Sequence, residues 1–210
     1  MSRATLDTQR RIKRLIDVVV SLSILVALSP VLAVAAILIR LQLGGPVLFR
    51  QERTGRAGRP FTVYKLRTMT DERDADGVLL PDGQRCKGIG LLLRRASIDE
   101  LPQLVNVLKG ELSLVGPRPL LPRYDPFYTD RERLRFEVPP GITGLAQIHG
   151  RNGLAWNERL ELDVVYVTNW SLGLELRIIG RTVRAVLTGA GVAADPSAQM
   201  LDLDRERMLT

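Results

Sequence analysis

The sequence predicts an α+β chain that is mostly helical: an N-terminal re-entrant membrane helix-break-helix, a small β-hairpin, and a cytoplasmic helical body with amphipathic interfacial helices. Three observations lead there. An apolar run from Leu15 to Ile39 holds a single charge, Asp17, and is interrupted by Ser29–Pro30. Strand-like alternation from Phe61 to Met69 follows a Gly- and Arg-rich turn. Beyond it, short apolar segments with helical periodicity are separated by loops fixed with glycine and proline.

The apolar run, about 25 residues, is long enough to cross a bilayer core of about 30 Å as a straight helix. Pro30 lies near its middle, removes a helical hydrogen bond and clashes with the preceding turn, so a kink or break is expected there. Ser29 is suited to satisfy a freed backbone group where water is scarce. Both flanks are basic, with Arg10, Arg11, Lys13 and Arg14 before the run and Arg40, Arg50 and Arg53 after it. Basic flanks stay on the cytoplasmic side. Arms of roughly 11 to 14 residues are too short to cross alone. The chain is therefore expected to dip into one leaflet and return. A kinked single span remains the competing reading. A cleaved signal peptide would have a shorter apolar region, and a buried soluble helix would not be apolar on nearly every face.

A chain of 210 residues fits one domain with attached elements. Its net charge of +7 is uneven. Twelve basic residues against three acidic ones lie between Met1 and Arg67, so the remainder is net acidic. Basic residues beside an apolar segment point to an anionic membrane surface. Nucleic-acid binding is disfavoured, because basic residues interleaved with stacking aromatics are missing. The one cysteine, Cys86, cannot form an internal disulfide, and with His149 as the one histidine a zinc site built from several such ligands is excluded.

The elements follow in order. Gly44–Gly45–Pro46 breaks the chain after the membrane segment, and Val47 to Phe49, Thr54 to Pro60 and Phe61 to Met69 read as a hairpin. Thr70 to Gly90 reads as a polar loop and Ile89 to Arg95 as a helix. Ser97 with Glu100 three residues later forms a capping-box pattern, placing Asp99 and Glu100 in the first turn of a helix that runs to Gly110. Val115 to Pro119 and Pro139 to Gly144 read as constrained loops, Tyr124 to Arg135 and Trp156 to Asn169 as helices. The last helix, Leu174 to Leu187, carries Arg177, Arg181 and Arg184 on one face, which suits a membrane interface or a solvated surface. Asp195 onward reads as a loose tail.

Adjacent carboxylates can divide phosphoryl chemistry between them, one ligating a divalent cation and the other attacking phosphorus. Most Asp–Glu pairs at helix starts do neither. The surroundings single this one out. Lys65 and Arg67 share one side of the predicted strand, Arg94 and Arg95 precede the pair, Arg118 sits between two prolines, and Arg151 follows a Gly-rich turn. Cations fixed in this way suit a diphosphate.

Lys65–Leu66–Arg67–Thr68–Met69, Arg94 through Leu104, Val115–Gly116–Pro117–Arg118–Pro119 and Pro140–Gly141–Ile142–Thr143–Gly144 occur in an order that resembles the bacterial sugar transferase family, the monotopic polyprenyl-phosphate phosphoglycosyl transferases. The resemblance runs from about Lys13 to about Val192, and the Ser–Pro break matches as well. It implies a minimal catalytic form, with residues 1–43 as basic flank and membrane hairpin, 44–192 as the cytoplasmic catalytic domain and 193–210 as a C-terminal tail. It further implies that Asp99 attacks the β-phosphate of a UDP-sugar and releases UMP, and that a polyprenyl phosphate such as undecaprenyl phosphate then takes the phosphosugar. Glu100 would bind Mg2+, with Lys65, Arg67, Arg94, Arg118 and Arg151 around the substrate. The Gly150–Arg151–Asn152 region resembles members that use N-acetylated amino sugars. The expected location is the cytoplasmic face of a bacterial inner membrane. A membrane-anchored scaffold is the rival class, but a scaffold has no need of both carboxylates beside several arginines.

Overall fold

Helix α1 (Arg3–Gln42) dominates the architecture of the chain, described here from a computed structural model that covers residues 3–150, 154–188 and 202–209. Among the described residues it is the one helix long and apolar enough to cross a membrane. Leu15, Val19, Leu22, Val26, Val34 and Ile37 stand exposed along it, as expected of a membrane-associated element. Helical structure continues through Pro30, so the expected helix-break-helix is one element here. The physical reason lies one residue earlier. Pro30 cannot donate to the Val26 carbonyl, and the Ser29 hydroxyl donates to it instead at 2.8 Å.

Two separated parts of α1 are docked on the body. Asp17 and Ser21 are buried near its start, and Ala35 and Ile39 near its end. Ala35 and Ile39 pack with Leu66, Ile89 and Leu93 in one apolar cluster. Between the two docks Leu22, Val26, Val31 and Val34 stand exposed.

Strands β1 (Leu48–Thr54) and β2 (Pro60–Leu66) pair antiparallel with Leu48 opposite Leu66 and Thr54 opposite Pro60, so the hairpin predicted from alternation is present. Short helix α2 (Asp82–Arg85) interrupts the polar loop, and α3 (Ile89–Arg95) spans its predicted range. Gly90 is required there. A Cβ at this position would lie 2.0 Å from the Thr68 carbonyl oxygen, so only glycine lets α3 press against the end of the hairpin.

Ser97 does not cap a helix. It adopts a left-handed conformation (φ 55) with no side-chain cap, and Ile98–Glu100 form a single 3-10 turn. Helix α4 (Gln103–Lys109) starts after it and ends at Gly110 in the left-handed conformation, as its sequence predicts. Beyond α4, short strand β3 (Ser113–Val115) leads into the first constrained loop and β4 (Gly141–Thr143) lies within the second, and the two pair in parallel. A Cβ on Gly141 would fall 2.0 Å from the Gly116 nitrogen, which explains the glycine at this crossing.

The helix expected from Tyr124 to Arg135 is instead two 3-10 segments, Pro122–Phe127 and Glu132–Glu137. Pro126 withholds one backbone donor, and Tyr128 is extended, so continuous α-helix is interrupted. Helices α5 (Leu145–His149), α6 (Trp156–Thr168) and α7 (Leu172–Thr188) complete the body. Residues 202–209 fall in the stretch read as a loose tail, yet α8 (Leu203–Met208) is docked. Leu203 is fully buried beside Tyr124 and Trp156, and Asp202 accepts bonds from the Tyr124 hydroxyl at 2.7 Å and Arg123 at 2.6 Å.

One buried ion pair braces this half of the body. Arg135 donates to Asp163 on α6 at 2.8 Å, to the Arg118 carbonyl at 2.6 Å and to the Tyr128 hydroxyl at 3.1 Å. Both charged side chains are 3% exposed. Removing one partner strands the other charge in the interior, so Asp163→Ala is expected to cost about 3–5 kcal/mol in chemical denaturation, whereas the paired replacement Arg135→Met with Asp163→Leu should cost far less.

Candidate active site

The site grows from how three segments are held together. Asn106 on α4 is fully buried and stitches α4 to β2. Its amide nitrogen donates to the Thr62 carbonyl at 2.7 Å, and its oxygen accepts the Tyr64 N–H at 3.3 Å. Lys65 is thereby fixed over the turn that precedes α4. Lys65 Nζ donates to Glu100 Oε1 at 2.8 Å, and Arg118 Nη2 donates to the same oxygen at 3.1 Å. Arg118 comes from the Gly116–Pro119 loop beyond β3, held from behind by Arg135.

The neighbouring carboxylates are pushed in opposite directions. Burial alone would raise Glu100, but Arg118 and Lys65 hold it down at about 2, so it stays ionised. Asp99 is buried, and burial together with the Glu100 charge pushes it up to about 6 against the pull of Lys65 and Arg94. The pair thus contains one permanently charged carboxylate and one that is desolvated and weakly basic near neutral pH. Such a division suits a charge anchor beside a nucleophile. Burial, reinforced by Arg118, lowers Lys65, and Glu100 opposes that.

Arg94 hydrogen-bonds Thr68 Oγ1 at 3.0 Å, and its charge acts on Asp99. Arg67 does not join the group. Strand β2 ends at Leu66, and the Arg67 guanidinium turns to the Met69 carbonyl at 2.9 Å, the Gly45 carbonyl and Asp71 at 2.5 Å. It ties the hairpin to the loop that follows rather than facing the carboxylates. Arg151 lies outside the described residues.

Two arginines near Arg118 have no obvious signal in the sequence. Burial and then repulsion by Arg118 lower Arg53 on β1 to about 10, and the same two causes lower Arg159 on α6. Arg159 is stacked over Trp156 at 4.6 Å. Arg53 read as part of the basic membrane flank, and Arg159 as one charge on an amphipathic helix. Both lie close enough to Arg118 to feel its charge. Arg53 also feels the Glu100 charge, so it belongs to the cluster around the carboxylate pair, whereas Arg159 is linked to that cluster through Arg118.

Among the described residues no group of three or more His, Cys, Asp or Glu side chains is placed to hold a metal. The carboxylate pair offers oxygen donors alone, which suits a hard divalent cation completed by phosphate and water.

The bacterial sugar transferase family model matches residues 8–189. The chain belongs to this family. An uncharacterized sugar transferase of Bacillus subtilis, EpsL, is 54% identical over 181 residues, covering 86% of this chain and 90% of its own. A Caulobacter vibrioides protein named UDP-glucose:undecaprenyl-phosphate glucose-1-phosphate transferase is 42% identical, covering 84% of this chain and 70% of its own. An Aeromonas hydrophila protein named UDP-N-acetylgalactosamine-undecaprenyl-phosphate N-acetylgalactosaminephosphotransferase is 39% identical, covering 86% of this chain and 44% of its own. The sugar transferase is thus an enzyme of the phosphoglycosyl transferase class.

A raised carboxylate favours the folded state when protonated, and that contribution is lost as pH rises through about 6. Asparagine mimics the protonated form. Asp99→Asn in the sugar transferase is therefore expected to have a higher melting temperature than the native chain at pH 8, by up to about 3 kcal/mol in stability, with the gap closing toward pH 4.

Proposed function

We propose that the enzyme transfers a sugar-1-phosphate from a UDP-sugar to a polyprenyl phosphate, releases UMP, and passes through a phosphosugar bound covalently to Asp99. The observation that carries this reading is the split pair: Glu100 clamped and ionised by Lys65 and Arg118, beside Asp99 raised by burial and by Glu100. In the first step an Asp99 oxygen attacks the donor β-phosphorus. A P–O bond forms, the bond to the bridging oxygen breaks, and UMP leaves with the electron pair. In the second step an oxygen of the lipid phosphate attacks the same phosphorus and the bond to Asp99 breaks, giving a polyprenyl diphosphate-linked sugar and a free carboxylate.

Lys65, Arg118, Arg53 and Arg159 supply positive charge for the diphosphate and for the charge that builds on the leaving phosphate. Arg94 steadies ionised Asp99. Both ion pairs of Glu100 use Oε1, so Oε2 is the oxygen that would meet Mg2+, whose chemistry there is neutralisation of phosphate charge. The names of the Caulobacter and Aeromonas relatives share undecaprenyl phosphate as acceptor and differ in the sugar, which supports the acceptor more than any one donor. Such a transfer initiates polysaccharide assembly at the cytoplasmic face of the inner membrane.

The two docks of α1 support the re-entrant reading. Residues near Asp17 and near Ile39 are about 30 Å apart along a helix, yet both rest on the same body. A body on one side of the membrane holds both ends on that side. The exposed Leu176, Val183 and Leu187 of α7, beside exposed Arg177, Arg181 and Arg184, support an interfacial helix.

Incubation with a UDP-sugar alone is expected to release one UMP per active site, with a rate that rises through pH about 6 and then levels, since Asp99 must be ionised. Asp99→Asn should release none. Full turnover by that variant, free of native enzyme, would reject the covalent route. Tags at either end are expected to be protected from external labelling in intact cells, and an externally accessible N-terminus would favour a single span.

A further inference from the structure

The start of α1 is held by charges rather than by apolar contact. Lys13, Arg14 and Asp17 turn inward. Arg14 donates to the last carbonyls of α4, Val107 at 2.6 Å and Leu108 at 2.9 Å. Lys13 Nζ pairs with Glu175 of α7 at 2.6 Å and reaches the Val115 carbonyl at 3.3 Å. Asp17 accepts the Ser113 hydroxyl at 2.8 Å and the Leu114 N–H at 3.2 Å. The second Glu175 oxygen accepts the Tyr166 hydroxyl at 2.5 Å and the Trp170 indole at 2.7 Å, and the Tyr166 oxygen lies 3.0 Å from the Val115 carbonyl. The side chains of Lys13, Asp17 and Glu175 are 13%, 6% and 6% exposed.

Two of the basic residues that read as a membrane-facing flank are therefore spent inside the protein. An apolar contact would hold α1 with less desolvation, but with less definition of register. A network of this kind fits one register of helix against strand. What it grips is specific. All three residues of β3 are contacted, and β3 leads directly to Arg118. The far end of α4 is contacted, and α4 begins just after the Asp99–Glu100 turn. Neither Lys13 nor Glu175 contacts the carboxylate pair, so any effect on the reaction must pass through these two elements.

We propose that Lys13, Asp17 and Glu175 are positioning residues that lock the membrane helix to β3 and so set the depth of the carboxylate pair relative to the bilayer. The lock serves the step that draws its substrate from the membrane and is dispensable for the step that uses a soluble donor. This rests on the two-step transfer proposed above. Lipid phosphate arrives at a depth fixed by the bilayer, whereas a nucleotide sugar reaches the body from solution.

The test uses the full chain in liposomes containing polyprenyl phosphate. Glu175→Gln keeps the hydrogen-bonding shape but removes the charge. The double variant Lys13→Met with Glu175→Gln leaves neither member of that pair as a lone charge, and it covers the case in which the single variant does not fold. For the folded variant, UMP release from donor alone should stay within about twofold of native, transfer to the long-chain acceptor should fall about tenfold or more, and a short-chain, water-soluble acceptor should be used normally. Equal losses in both half-reactions, a matching loss with the soluble acceptor, or no loss at all would overturn the proposal. Absence of a UMP burst in the native enzyme would instead reject the covalent route. The positioning role would then stand or fall on whether KM for the long-chain acceptor rises while KM for the donor holds.

Discussion

Glu100 Oε1 receives Lys65 from the hairpin and Arg118 from the loop beyond β3, and much of the body is arranged so that these two cations can meet there. Bringing them onto one oxygen puts like charges close together, which is tolerable because the carboxylate between them is held ionised. The consequence falls on the neighbour. With its side chain buried and Glu100 charged beside it, Asp99 is pushed up to about 6. A single clamp thus fixes the geometry of the cations and raises the neighbouring carboxylate.

The supports of that clamp are buried polar groups. Asn106 ties α4 to β2 and fixes the reach of Lys65. Arg135, paired with Asp163, holds the backbone of Arg118. The Lys13–Glu175–Asp17 set holds β3 against α1. Hydrogen bonds and ion pairs define direction and register more sharply than apolar packing, at the cost of desolvation. The apolar clusters around Leu66, Val115 and Tyr124 supply the burial that makes these polar links strong.

Local signals were legible where local forces dominate. Alternation gave the hairpin, Gly110 ended α4 in the left-handed conformation, and apolar periodicity gave α3 and α6 close to their observed bounds. Ser97 misled because a capping-box pattern does not fix the backbone of its own first residue. Tyr124 to Arg135 misled because Pro126 outweighed helical periodicity. Arg67 and Lys65 are two apart in sequence, but the strand ends between them, so a rule about strand faces does not extend to Arg67.

By itself the sequence determined the family, the apolar segment with its Ser–Pro step, and the candidacy of Asp99, Glu100, Lys65 and Arg118. Composition and short-range order suffice for these, since motif spacing and hydrophobic runs are properties of neighbours along the chain. Only the tertiary structure decided which cations reach the carboxylates, that Arg53 and Arg159 come near Arg118, and that Lys13 and Arg14 face inward to protein. Those outcomes depend on residues far apart in sequence, 162 positions in the case of Lys13 and Glu175. Whether an arginine is a surface charge or part of a site is set by what folding buries beside it, and no local pattern carries that information.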